Sequence, residues 1–264
     1  MVRKLFKHEF LAWLRVMPII YGIALAVAGV GRLLQLFESD ELYYVLIFGS
    51  AALLFGAAML VCMVAPTIFG IVRFYKNLFT GEGYLSFTLP VSMASHLWVK
   101  LLTATTFSIL STLVCCLSVM LMTAGEALVE IGNAAAYLLN QIPAESVGSV
   151  IGYCAEVLTL MLLGTFSTHL FYASCICIGQ LAKKNRILAA VGVYFGFYLI
   201  SQFFGTVLGL FMMFLAPSIE NFFAADPILS VHIVLGVMIA LELVLSTVFM
   251  LICHGILRRR LNLE

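Results

Sequence analysis

Residues 43–72 read YYVLIFGSAALLFGAAMLVCMVAPTIFGIV, thirty positions without one charged side chain. A helix crosses the bilayer core with roughly 20 predominantly apolar residues. Lipid admits only helices and closed barrels, because every backbone N–H and C=O must find its partner within the protein. Barrel strands alternate polar and apolar side chains, whereas this run is apolar on every face, so it reads as a transmembrane helix. Five more runs of the same kind lie near 17–37, 101–123, 147–181, 187–215 and 229–257. The predicted fold is all-α: one polytopic membrane domain over residues 1–264, with six spans. The runs 43–72 and 147–181 exceed a perpendicular crossing at about 1.5 Å per residue, so they are expected to tilt or project.

The composition agrees. Of 264 residues, 63% are hydrophobic and 10% charged, and mean hydropathy is +1.13. A soluble domain is about 45–50% apolar and about 25% charged, which excludes an ordinary water-soluble enzyme and a disordered chain. A net charge of +1 leaves no basic surplus for nucleic acid. Arg3, Lys4, Lys7, Arg15, Arg73, Lys76, Lys100, Lys183, Lys184, Arg186, Arg258, Arg259 and Arg260 all fall on one side of a six-span plan, with only Arg32 near the other. Glu38, Asp40, Glu41, Glu126, Glu130, Glu145, Glu220 and Asp226 fall in the alternate loops. Basic loops stay cytoplasmic, so both termini are expected inside.

Residues 1–16 lack the small-residue cleavage pattern of a signal peptide. Leu5, Phe6, Trp13 and Leu14 interleaved with Lys4, Lys7, His8 and Arg15 suit a helix lying in the membrane interface; a frayed tail is the plainer alternative. The seven cysteines lie within or beside apolar runs, none with metal-ligand spacing, and read as small core hydrophobes. There is no Walker-type phosphate loop, no Gly-x-Ser-x-Gly elbow and no His-Glu-x-x-His pair. The five histidines sit on separate elements. The chain is thus expected to be no enzyme by itself and to bind no cofactor or metal.

The longest segment on the cytoplasmic side runs from Arg73 to Lys100. It carries Phe74, Tyr75, Leu78, Phe79, Tyr84, Leu85, Phe87 and Leu89 outside the predicted spans. Its layout reads as a short helix, a turn at Gly81 and Gly83, an apolar strip, a corner at Pro90 and a helix restart capped by Ser92. Apolar surface of this kind buries itself against the bilayer interface, the rest of the chain or a partner.

Glu82-Gly83-Tyr84-Leu85 leading through Leu89-Pro90-Val91-Ser92 to Lys100 resembles the cytoplasmic segment of ABC type-2 transporter permeases. The opening Lys4-Leu5-Phe6-Lys7-His8-Glu9-Phe10 and the closing Arg260-Leu261-Asn262-Leu263-Glu264 are similar to that family's termini. The resemblance implies a permease subunit of a bacterial exporter in the cytoplasmic membrane, paired with a second permease copy or paralogue. Each permease would dock a separate cytosolic ABC ATPase that carries ATP and Mg. It further implies that Glu82, Gly83, Tyr84, Leu85, Phe87, Pro90 and Ser92 couple to the ATPase, with residues 1–16 touching it as well. Tyr84, Leu85 and Phe87 would fill a groove on that subunit and Glu82 would meet a basic residue there.

Within the spans, Glu242 stands near the middle of the last one. A mid-bilayer charge costs about 2.5–3.5 kcal/mol on insertion scales, so it either hydrogen-bonds a neighbouring helix or lines a translocation path. Glu156 lies nearer the outer end of its span, and Arg32 can snorkel or pair with Glu38. Gly148/Gly152, Gly192/Gly196 and Gly205/Gly209 have the four-residue spacing of close helix packing; the two pairs on the fifth span make it the favoured packing face. Residues 124–146 are expected to form an amphipathic outer helix ending before Pro143, and 216–228 a short apolar outer loop that either dips back into the outer leaflet or forms a simple hairpin. Besides an exporter of amphipathic or hydrophobic cargo (peptide, lipid or drug), two alternatives fit the sequence. One is a proton-coupled secondary transporter using Glu242, the other a non-transporting membrane scaffold or sensor.

Overall fold

The computed structural model describes residues 2–37, 39, 41–80, 83, 91–141 and 147–259, and among these it contains helices and turns but no strand. The helices are α1 (Val2–Leu14), α2 (Met17–Gln35), α3 (Leu42–Phe79), α4 (Met93–Met122), α5 (Glu126–Gln141), α6 (Val147–Gly179), α7 (Arg186–Phe214), α8 (Ala216–Ala225) and α9 (Pro227–Arg259). Among the described residues six stretches are long and apolar enough to cross a membrane: Val2–Gln35, Leu42–Phe79, Met93–Met122, Gly148–Gly179, Arg186–Phe214 and Pro227–Arg258. At 38 residues α3 is about 57 Å long, well beyond a hydrocarbon core of about 30 Å.

Local sequence explains the boundaries. Pro18 stands in the first turn of α2 and Pro217 in the first turn of α8, where the missing N–H costs nothing. The α4–α5 connection turns at Ala124 and Gly125, both with positive φ, and Gly125 N–H closes back on Met120 O at 2.9 Å. Asp226, extended at φ −152° ahead of Pro227, separates α8 from α9. Its Oδ1 accepts the Leu229 N–H at 3.0 Å as an N-cap. Residues 216–228, expected as a loop, are therefore mostly the helix α8.

The chain divides into two compact units. The first comprises Met1–Val72 and Trp98–Glu145. Its core is Trp13 and Met17 with Tyr21, Ala24, Cys62, Ala104, Phe107 and Cys115. Trp13 stacks on Phe107 at 5.1 Å and meets Phe69 edge-on at 4.9 Å, while Phe10 lies 5.0 Å from Phe107. A buried polar chain crosses the same core. Tyr21 Oη donates to Phe107 O at 3.0 Å, and Ser111 Oγ donates to Tyr21 Oη at 3.0 Å. α5 stands apart from this core, exposed from Leu128 through Tyr137.

The second unit comprises Arg73–Leu97 and Ser146–Glu264. Here α6 and α9 run parallel in a fixed register: Glu156 meets His232, Ser167 meets Ser246, and Ser174 Oγ meets Phe249 O at 3.2 Å and Cys253 Sγ at 3.2 Å. Phe171, Tyr194, Phe197 and Phe249 knit α6, α7 and α9 together by ring contacts of 5.5–6.0 Å. From Tyr198 to Phe214 every residue of α7 is exposed. A stretch that is apolar all round and uncovered by its own chain is stable in lipid or against another apolar surface.

Candidate functional site

The segment between α3 and α4 differs from its sequence-based layout at its start. Residues 73–79 are no separate short helix: α3 continues unbroken through them. No glycine or proline interrupts the chain between Gly70 and Gly81, so nothing stops the helix earlier. Nor do these side chains form open surface. Phe74, Leu78 and Phe79 are buried, and only Tyr75 of the four stays partly accessible. Phe74 and Phe79 approach each other at 6.1 Å and Tyr75 meets Phe79 at 6.4 Å.

Of the residues that the resemblance marks for coupling, Gly83 and Ser92 are described. Gly83 N–H donates to Thr80 O at 2.7 Å, closing a turn just past α3. Ser92 starts α4: its Oγ accepts the Ser95 N–H at 3.3 Å and meets Ser95 Oγ at 2.8 Å, and its carbonyl accepts from Ser95 N at 2.9 Å. That is the geometry of an N-cap. Glu82, Tyr84, Leu85, Phe87 and Pro90 lie outside the described residues.

The far end of the segment makes a contact that sequence spacing could not show. Lys100 Nζ reaches Glu9 Oε2 of α1 at 3.5 Å, with the two side chains only 10% and 9% exposed. A buried ion pair specifies one arrangement of its helices more surely than it adds net stability. Lys100 belongs to the central phrase and Glu9 to the opening one, so the two pieces of sequence that carry the resemblance meet. α1 is correspondingly more than a helix resting on lipid: one face, with Glu9 and Trp13, is buried in the core of the first unit.

In the second unit, Glu242 is half-buried. On α9 it falls in the stripe Ile239, Glu242, Ser246, Phe249 and Cys253, the helix face turned to α6. Among the described residues it has no hydrogen-bond or ion-pair partner. Two and a half to three turns earlier on α9, His232 Nδ1 lies 2.9 and 3.0 Å from the two carboxylate oxygens of Glu156. The His232 ring lies over Tyr153 at 4.1 Å, and Tyr153 Oη donates to Ile228 O at 2.7 Å. Gly152 makes room for the imidazole: a Cβ there would stand 3.0 Å from His232 Cε1. In the sequence Glu156 and His232 lie in different apolar runs, and no motif joins them. The small residue at 152, one turn before Glu156, was the available signal.

The remaining candidates sort by burial. Cys62, Cys115, Cys175, Cys177 and Cys253 are buried and Cys116 and Cys154 exposed, and all seven are free thiols. The described residues hold no cluster of three or more metal-ligating side chains. Arg32 Nη1 donates to Gln35 Oε1 at 2.9 Å, while Glu38 lies outside the described residues. Gly192, Gly196, Gly205 and Gly209 each have no atom of the described residues within 4 Å of an added Cβ, so these glycines bring no described element into close approach. The close approach is at Gly179, where a Cβ would fall 2.6 Å from the backbone of Ala190. Compared with protein-family models, with curated proteins and with solved structures, the chain matches none.

Proposed function

We propose that this chain is the membrane subunit of an ATP-driven exporter, a permease of the ABC type-2 kind, with both termini in the cytoplasm of a bacterial cell. It would work with a second permease copy or paralogue and a separate cytosolic ATPase holding ATP and Mg. The observation that carries the reading is the ion pair between Lys100 and Glu9. It ties the segment expected to meet the ATPase to α1, and α1 continues through the turn at Arg15 and Val16 into the first span. A push on residues 82–92 would thus reach the start of α4 and the start of α2 together. The six apolar helices and the lack of a nucleotide-binding loop in the sequence support the same division of labour. The mostly apolar spans favour amphipathic or hydrophobic cargo.

Purification of the tagged chain from its native membrane in mild detergent, with mass spectrometry of what accompanies it, tests this reading. A stoichiometric cytosolic ATPase is expected, and Leu85→Asp is expected to lose it while membrane insertion persists. Recovery of the chain alone, even after crosslinking, would overturn the exporter reading. One observation favours the second reading, a proton-coupled transporter: α9 presents both unpartnered Glu242 and the His232–Glu156 pair on the side facing α6. That reading requires transport without ATP, abolished by a protonophore and by Glu242→Gln.

A further inference from the structure

An apolar groove of about 460 Å³ opens on the first unit, between the first turn of α2 and the second half of α3. Met17 and Ile20 line it from α2, and Val61, Val64, Ile68 and Val72 from α3, with no polar side chain among the lining residues. Its volume is that of a small-molecule site, about 300–1,000 Å³. The charge around its end is one-sided. Arg15 directly precedes Val16, another lining residue, and is itself exposed. Arg3, Lys4 and Lys7 are exposed on α1, whose buried positions are Glu9 and Trp13. Glu9 is the only carboxylate before residue 38, and it is turned inward to Lys100. The charges exposed on α1 are therefore all cationic, with Leu11 and Leu14 exposed among them.

We propose that this groove holds an acyl chain of an anionic phospholipid from the surrounding bilayer, with the headgroup phosphate against Arg15 and the exposed cations of α1 adding to the attraction for negative headgroups. The chemistry divides cleanly. The groove offers only dispersion and apolar contact, which a neutral lipid satisfies equally well, and the selectivity for negative headgroups comes from the cations. Because α1 and α2 share the turn at Arg15 and Val16, an occupied site would hold the Glu9-bearing helix down on the membrane surface.

The test uses the purified full-length chain in lipid vesicles, with nitroxide labels on the acyl chains of phosphatidylglycerol or phosphatidylcholine. Electron spin resonance then reads the motionally restricted fraction of each. Phosphatidylglycerol should be restricted preferentially. Arg15→Gln should weaken that preference about fivefold, the scale of one surface cation near anionic lipid. Val61→Trp fills the groove from a position 56% exposed, which tolerates bulk, and should release the bound chain, whereas Leu53→Trp, 79% exposed on the same helix, should not. Equal restriction of the two lipids would overturn the proposal. So would a preference that responds to Arg15→Gln but not to Val61→Trp, which would mean headgroup attraction without a chain site. Disulfide crosslinking of two copies through Val64→Cys would overturn it by showing a second copy in the groove.

Discussion

Trp13 ties α1 into the core of the first unit, because its ring meets both Phe69 and Phe107 and is 1% exposed. Truncation to alanine should cost about 3–5 kcal/mol, read as a fall in thermal midpoint of the purified chain in detergent. Trp13→Phe should cost much less, since the indole N–H has no acceptor among the described residues and its removal orphans none of them. The Glu9–Lys100 pair has a different signature. Removing one charge leaves the other buried, at a cost of about 3–5 kcal/mol, so Glu9→Gln should lower the midpoint and adding Lys100→Met should restore most of it. Equal losses in the single and double variants would mean the two charges are not coupled. Neither role was legible beforehand. Trp13 reads equally well as an interfacial anchor, and Glu9 and Lys100 lie 91 positions apart, a separation no periodicity bridges.

Glycine spacing marked Gly148/Gly152 as well as the two pairs on α7, and within the chain the steric requirement sits at Gly152 and at Gly179, which belongs to no such pair. At Gly179 the opposing atoms are the N, Cα and Cβ of Ala190, 2.6 Å from an added Cβ. Backbone cannot rotate aside as a side chain does, so Gly179→Ala should pry α7 from α6 and reduce the yield of folded protein. Gly192→Ala and Gly205→Ala meet open space within the chain. In a monomer each should be neutral or stabilising, by up to about 1 kcal/mol from helix propensity. A loss of self-association in either variant, measured by crosslinking in membranes, would assign that face of α7 to a second copy. The four-residue glycine pattern marks where close approach is permitted. Whether a neighbour occupies the space is decided by which helix the loops bring alongside.

For the whole molecule, the exporter reading predicts that the purified chain hydrolyses no ATP alone and that hydrolysis appears only with a cytosolic partner. Turnover by the isolated chain would contradict it. Six helices long and apolar enough to cross a membrane, with their approximate ends, were readable from the long apolar runs, because burial in lipid requires about 20 predominantly apolar residues in one helix and little else. The side of the membrane that each loop faces remains a reading of where lysine and arginine fall, to be tested by reporter fusions at residues 83 and 135. The tertiary structure decided what hydropathy cannot distinguish. It turned Phe74, Leu78 and Phe79 inward rather than leaving them open to a partner, made one buried pair of Glu9 and Lys100, and set His232 against Glu156 over Gly152. Lipid is as apolar as a protein core, so an apolar residue carries no mark of which of the two it will face. That choice belongs to the packing of helices far apart in the chain.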